Sequence, residues 1–551
     1  VAFVAWRQAP RPAWNDEAWV VDYASRPTAG QALRDTLGAR QPAAPGYLVM
    51  LHALAQVDGG RLWEFRLPSA AATLILLLSA GCILGRCCGR YVLGQAVALL
   101  LLASPLFQRY AGEIKQYQLE AALSLLLLVL LDAWLATGRR AAAWAWFAVA
   151  LVAVLTTFAG WFAVAASVLV LGVAWVRRKQ AAPCREVALM GVLLAAAALT
   201  VHWPFLRHIA ASPQLRAGWS DSYLPHDLTL PRALWALGAG YFSEAWYLYP
   251  RLVHPGLLIL AAGLGWVMWC RRAPATALAA GLTVFLPLLT MMARHWPNGA
   301  RINLPVVAIL HLGILAGVAV VCATCLQWCA ACSAPCPVVD AGPRHKKGTF
   351  CFSGNWHENS GKKEVLGFPV EKSRMSPFWL RPVPGSDSET RCRSPWPALA
   401  GVVLALGVAG LVVHVARQAD FEVAALDRLL DRLGAEVQPG QVVFADQAAY
   451  VNLSFRRPGL AGRVIEVVGL PPEDLEAQAA GLRAPGCAAL PLIAIGHYNA
   501  ATAEYWAPFR SVPGGSGLIE LIWSDHLVAI YQFTREPSKA GAPREPPARG
   551  Y

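Results

Sequence analysis

Two carboxylates stand side by side in "AWNDEAWVVDYA": Asp16 and Glu17, bracketed by Trp14 and Trp19. A carboxylate held beside a reactant hydroxyl or amine can take its proton as a general base. Farther along, "QRYAGEIKQYQ" (108–118) gathers Arg109, Glu113, Lys115 and Tyr117, and "HWPNGARINLP" supplies His295 and Arg301. Such cations can hold an anionic ligand and stabilise charge on a leaving group. Each residue also has a plainer reading. Asn15 or Asp16 can cap a surface helix; Arg109 and Lys115 can be interfacial side chains that reach out of a membrane; His295 can sit in a solvated loop. Glu113 and Lys115 are two apart and would diverge on a helix, so only a non-helical link lets them pair directly.

The elements that must position these groups are oily. Of 551 residues 56% are hydrophobic and 15% charged, where soluble domains carry about 25% charge. Apolar runs long enough to cross a bilayer as helices recur. They lie at roughly 66–85, 91–108, 118–137, 142–158, 161–176, 186–205, 253–270, 275–293, 302–326 and 396–416. "VAFVAW" at the start reads as the tail of a span that begins before residue 1. The formal net charge of +13 is not a nucleic-acid signature, because Lys and Arg concentrate in short loops and no nucleotide- or nucleic-acid-binding motif occurs. "GRCCGR" (85–90), "GRR" (138–140), "RRK" (177–179), "CRR" (270–272) and the basic segment after 340 all fall on one side when spans are counted. By the positive-inside rule that side is the cytoplasm. Residues 8–65, 108–118, 206–252, 294–302 and everything after 417 then lie outside, with Asp16 and Glu17 among them. Within 8–65, the stretch 31–56 reads as amphipathic and broken at "QPAAPG", suited to a membrane surface.

The remaining segments are of other kinds. Residues 417–535 alternate helical periodicity ("FEVAALDRLLDRLGAEV") with strand-like runs ("QVVFAD", "RVIEVVG", "LPLIAIGH", "LVAIYQF"), which predicts a small α/β domain outside the membrane. Asp446 and His497 lie near its strand ends without a constellation around them. The Pro/Gly-rich tail 536–551 reads as disordered. Residues 327–395 form an irregular cytoplasmic insertion rich in Cys and Lys. Its C-x2-C-x3-C-x2-C run, Cys322 to Cys332, has a metal-site spacing but no following histidine pair. His202, on an apolar span, reads as a satisfied core histidine, and Glu64 and Arg66 as interfacial anchors.

In this order the motifs resemble the GT-C glycosyltransferases, and within them bacterial proteins of the dolichyl-phosphate-mannose–protein mannosyltransferase-like family. The resemblance covers roughly residues 10–320. It rests on the acidic pair Asp16–Glu17, the Pro-rich helix start "PAAPGY", and the span entry "RLPS" (Arg66 to Ser69). The link Tyr110, Ala111, Glu113, Lys115, Tyr117 and the late entry Gly299, Arg301, Pro305 complete it. "QPAAP" stands where the family often has His-Pro-Pro, and 327–395 has no counterpart.

The resemblance implies a multi-pass enzyme of the inner (plasma) membrane. It would move a sugar from a polyprenyl-phosphate donor to a protein, lipid or polysaccharide acceptor at the extracytoplasmic face. Asp16 would be the base and Glu17 its positioning partner, while Glu113, the third acid of the catalytic set, would orient Lys115 or bind the acceptor. Lys115, Arg109 and Arg301 would hold the donor phosphate; Tyr47, Tyr117 and His295 would contact substrate. No cofactor is required, though Asp16 and Glu17 are compatible with a divalent cation. A transporter or lipid-linked sugar flippase is the alternative, and a membrane-anchored binding protein a third. Transport would call for ionisable groups near the midplane and repeated halves, and no internal repeat is visible.

Overall fold

The computed structural model describes residues 13, 15–37, 43–58, 61–89, 91–179, 181–211, 255–292, 303–332, 421–438, 441, 443–445, 464–466, 492–495, 519–525 and 528–533. Among the described residues, three helices precede the Glu64–Cys88 stretch: α1 (Asn15–Ala24), α2 (Ala29–Leu37) and α3 (Pro45–Asp58). A 3₁₀ turn, Glu64–Arg66, leads into α4 (Leu67–Cys88). After it come α5 (Tyr91–Ala98), a second 3₁₀ turn (Leu99–Ala103), α6 (Pro105–Ala111), α7 (Tyr117–Thr137), α8 (Arg140–Thr156), α9 (Gly160–Arg177) and α10 (Ala181–Ala211). α11 (Pro255–Arg272), α12 (Pro274–Met292) and α13 (Leu304–Cys332) complete the bundle. Among the described residues, six stretches are long and apolar enough to cross a membrane: Glu64–Cys88, Tyr117–Thr137, Gly160–Arg177, Pro183–Phe205, Pro274–Met291 and Leu304–Cys322. The chain is a polytopic α-helical membrane protein. Leu189, Val192, Leu193, Leu199 and Trp203 on α10, and Leu257, Ile259, Leu260 and Val267 on α11, are exposed, as suits side chains that face lipid.

Sequence chemistry sets several helix ends. Thr28 and Gln31 form a reciprocal box at the start of α2: the Gln31 N–H donates to Thr28 Oγ1 at 3.2 Å and the Thr28 N–H to Gln31 Oε1 at 3.2 Å. α4 and α7 each end on a glycine of positive φ, Gly89 at 71° and Gly138 at 63°, a conformation that costs other residues more. The run 91–108, expected as one helix, is broken into α5, a 3₁₀ turn and α6. Pro105 drives its predecessor out of the helical region, and Ser104 has φ −80° and ψ 125°. Its hydroxyl then accepts the Phe107 N–H at 3.3 Å and starts α6.

Close crossings depend on small residues. α5 lies on α4 where a Cβ at Gly94 would run into Gly85 and the Gly81 carbonyl. On α13, Gly313 and Gly317 meet Ala261 and Gly265 of α11. A Cβ at Gly265 would strike the Gly313 carbonyl, and one at Gly317 the Ala261 carbonyl. Such contacts stabilise helix pairs in lipid, where apolar burial gives little drive. Gly317→Leu should therefore separate α11 from α13 and cost about 1–3 kcal/mol as overpacking. Thermal unfolding in detergent should show a lowered midpoint, whereas Gly172→Leu, where nothing lies within 4 Å of a Cβ, should leave it unchanged.

At one end of the bundle Arg86 Nε pairs with Asp132 Oδ2 at 3.2 Å, Thr276 reaches Asp132 Oδ1 at 3.4 Å, and Arg178 donates to the Leu135 carbonyl at 3.2 Å. The basic ends of α4 and α9 and the start of α12 therefore lie together, as the span count requires. α13 continues to Cys332, six residues beyond the expected end at 326. The run from Cys322 to Cys332 thus falls within a helix, where a 3-4-3 spacing is also the spacing of a helical stripe. Residues 333–420, with the rest of the insertion and the 396–416 span, fall outside the described residues.

In the C-terminal part, α14 (Phe421–Glu436) buries Leu429, Leu430 and Leu433. The strands β1 (Val443–Ala445), β2 (Val464–Glu466), β3 (Leu492–Ile495), β4 (Ile519–Asp525) and β5 (Val528–Phe533) form one sheet of order β2-β1-β3-β5-β4. β1 runs parallel to β2 and β3, while β5 is antiparallel to β3 and β4. Four of these strands correspond to the strand-like runs in the sequence. β4, "IELIWSD", does not.

Candidate functional site

The end of the bundle opposite Arg86–Asp132 carries the acids. α1, α2 and α3 share an apolar core of Ala18, Val20, Val21, Ala32, Tyr47, Leu48 and Leu51, into which Phe65 and Ile114 also pack. α1 is therefore not a solvated surface helix: Ala18, Val20, Val21 and Ala24 are fully buried on it. Arg26 clasps this unit by pairing with Asp22 at 3.1 Å and Asp35 at 2.9 Å. The His52 ring lies 2.9 Å from the Ala24 carbonyl.

Between α6 and α7, residues 112–116 form no helix, the condition under which Glu113 and Lys115 can face one place. Ile114 anchors the link by its buried side chain. Its backbone N–H donates to Glu17 Oε1 at 2.6 Å. Glu17 is fully buried, and its other oxygen lies 3.5 Å from Arg66 Nη2. Arg66, 4% exposed, also donates through Nη1 to the Gly112 carbonyl. From the first turn of α4, Ser69 Oγ donates to the Glu113 carbonyl at 2.6 Å and lies 3.3 Å from that of Lys115. Three segments far apart in sequence are thus joined: α1, the entry to α4, and the 112–116 link.

Glu113, Lys115 and Gln116 are all buried, and Lys115 is among the most completely enclosed large side chains in the protein. It is not an interfacial lysine reaching into water. A buried ammonium is tolerated only with compensating charge or hydrogen bonds. Arg109, half-buried, ends α6, where a cation meets the negative end of the helix dipole. Tyr110 and Tyr117 meet edge to face at 5.7 Å across the link. Tyr47 is fully buried. Burial pushes its phenol well above the usual range, the neighbouring Ser69 hydroxyl pulls it back, and Glu17 and Glu113 push it up further. It therefore keeps its proton.

Asp16 belongs to α1 beside Glu17, but its side chain lies outside the described residues, as do His295 and Arg301. The span after Arg301 does reach this region, since His311 of α13 stacks edge to face on Phe107 of α6 at 5.7 Å. A divalent ion on the Asp16–Glu17 pair does not suit these contacts. One Glu17 oxygen is taken by an N–H and the other faces a guanidinium, and among the described residues no three His, Cys, Asp or Glu side chains gather.

Arg66 and Ser69 are the residues that sequence reasoning passed over. Both were in view in "RLPS", but an arginine at a span entry reads as an interfacial anchor, and only the fold supplies Glu17 as its partner. Glu64 does act locally, accepting the Arg61 N–H at 3.1 Å. Glu120, in the first turn of α7, was also missed. It is buried and accepts the N–H groups of Phe158 and Ala159 at 2.9 and 3.4 Å, which fixes the turn before α9. His202 closes the same corner, its ring nitrogen 2.6 Å from the Val154 carbonyl and its face against Trp161. It is a core histidine.

The chain matches no protein-family model and no curated protein. Among solved structures it is similar to the crystal structure of ArnT from Cupriavidus metallidurans in the apo state, at 16% identity and a TM-score of 0.45, over 98% of each chain. It is similar also to the same protein bound to undecaprenyl phosphate, at 16% identity and a TM-score of 0.47, again over 98% of each chain.

Proposed function

We propose that the chain is a membrane glycosyltransferase that moves a sugar from a polyprenyl-phosphate donor to an acceptor hydroxyl or amine at the outer membrane face. The observation that carries this reading is the joining of α1 to the 112–116 link through the Glu17 carboxylate and the Ile114 N–H. That contact sets the acidic pair beside the link bearing Glu113 and Lys115. Ionisable groups thus gather at one end of the bundle, as suits a donor whose phosphate sits at headgroup level. A transport route would call for them near the midplane.

In the proposed reaction a carboxylate, Asp16 in the first place, removes the acceptor proton as the acceptor attacks the anomeric carbon. The bond from that carbon to the phosphate oxygen breaks, and polyprenyl phosphate departs with the electron pair. Lys115, Arg109 and Arg301 bind the phosphate and stabilise the added charge on its bridging oxygen. Glu113 orients Lys115 or receives the acceptor. Tyr47 and Tyr117, with His295, line the place for sugar and lipid. The mannosyltransferase-like character, the inner-membrane location and the outward-facing site belong to this same reading.

The test is a transfer assay in membranes containing the protein, supplied with a panel of radiolabelled polyprenyl-phosphate sugars. Label should move from the lipid fraction to an acceptor. Redistribution of intact labelled lipid between leaflets, with no transfer from any donor, would instead establish a flippase.

A further inference from the structure

Glu17, the second acid of the opening pair, is fully buried. Both Glu17 oxygens are engaged by the protein itself, one by the Ile114 N–H at 2.6 Å and one by Arg66 at 3.5 Å. A base must reach the reactant proton, and Glu17 is fully buried with one oxygen turned to the Ile114 N–H and the other to Arg66. We infer that Glu17 is a positioning residue: with Arg66 and Ser69 it forms a strap that holds the 112–116 link in its non-helical shape and so fixes where Glu113 and Lys115 point. The inference rests on the proposed function for what those two side chains then do.

The strap works from both faces of the link. Glu17 takes the N–H of Ile114, while Arg66 and Ser69 give hydrogen bonds to the carbonyls on either side, those of Gly112, Glu113 and Lys115. Residues 112–116 lie outside any helix, so the strap supplies hydrogen bonds that a helical ladder does not, and losing a buried one is costly. Glu17 and Arg66 are also each other's counter-charge. Breaking a buried ion pair by removing one partner costs more than the pair itself contributes. The link would then relax to recover hydrogen bonds, and Lys115 would move with it.

Glu17→Gln keeps the side-chain shape and an acceptor for the Ile114 N–H but removes the charge opposite Arg66. Amide hydrogen exchange on the full-length protein in nanodiscs should show Ile114 exchanging about tenfold or more faster, the size of one charge-assisted hydrogen bond. Asp16→Asn should leave that exchange unchanged. Turnover should fall about ten- to hundredfold, as small misplacements of positioned groups do, while the acidic limb of the pH–rate profile stays where it is. A second neutralisation, Glu17→Gln with Arg66→Met, should recover part of the lost turnover. Ser69→Ala, which carries little risk to folding, should give a smaller change in the same direction for exchange and turnover.

Unchanged exchange in both Glu17→Gln and Ser69→Ala would overturn the strap. So would loss of the acidic limb with the link still protected, which would make Glu17 the base. Should the wild type show no transfer at all, the functional reading fails, and the exchange measurement still decides whether the strap exists.

Discussion

Asp16→Asn is expected to lower sugar transfer at least about a hundredfold, the low end of what a positioned base contributes, and to leave donor binding near the wild-type value. The substitution removes the proton-accepting charge without removing volume. It falls in the first turn of α1, where a carboxylate is favoured by the helix dipole, so a modest loss of thermal stability should accompany it. The neighbouring acid cannot take over the task, because Glu17 is turned into the protein and bonded to Ile114 and Arg66. Binding is measured by the shift in unfolding temperature on adding polyprenyl phosphate, and turnover by release of label to acceptor. If Asp16→Asn transferred sugar at near-normal rates while Glu113→Gln did not, the base would belong to the link rather than to α1. If neither variant mattered, the acids at this end would be structural and the enzyme reading would lose its chemistry.

The sequence and the fold give different kinds of information about this site. Apolar length picked out the six stretches of the described residues that are long and apolar enough to cross a membrane, though not 91–108, 142–158 or 253–270, and the placement of arginines brought the basic loop ends together, because both are local signals. The acidic pair and the "GEIK" link were visible for the same reason, being charges in an oily chain. That Glu17 is held inside the fold was not visible, since Asp16 and Glu17 are chemically alike and adjacent. Its partners, Ile114 and Arg66, lie 97 and 49 residues away along the chain. The break within 91–108 was legible in principle: Ser104–Pro105 is a stop-and-restart signal, but it stood inside a run whose hydropathy alone spelled one helix. Strand β4 failed for the opposite reason. "IELIWSD" alternates poorly, and its register against β5 shifts between Leu521 and Trp523, so pairing with β5 rather than its own pattern makes it a strand.

Lys115→Met should weaken donor binding and turnover together, in contrast to Asp16→Asn. The phosphate is anionic before the reaction and carries more charge on its bridging oxygen as the bond breaks, so a cation beside it acts on both states and more on the second. Loss of one charged hydrogen bond costs about 1.5–3 kcal/mol, roughly ten- to a hundredfold in affinity. Turnover should drop by a further factor of about 10². Polyprenyl phosphate at 100 times its dissociation constant stabilises the protein that binds it by about 2.7 kcal/mol; at the same concentration Lys115→Met should lose most of that thermal shift. Methionine fills the volume of the lysine stem in a site where Lys115 is almost wholly enclosed, so the loss cannot be assigned to a cavity. Lys115→Arg adds the sharper comparison. It keeps the charge but changes the shape of the donor group in a packed site, and should retain part of the thermal shift while turning over poorly. A Lys115→Met protein that still bound the lipid phosphate with the wild-type shift would show that this lysine balances the buried acids alone, and the phosphate would have to be held by Arg109 and Arg301.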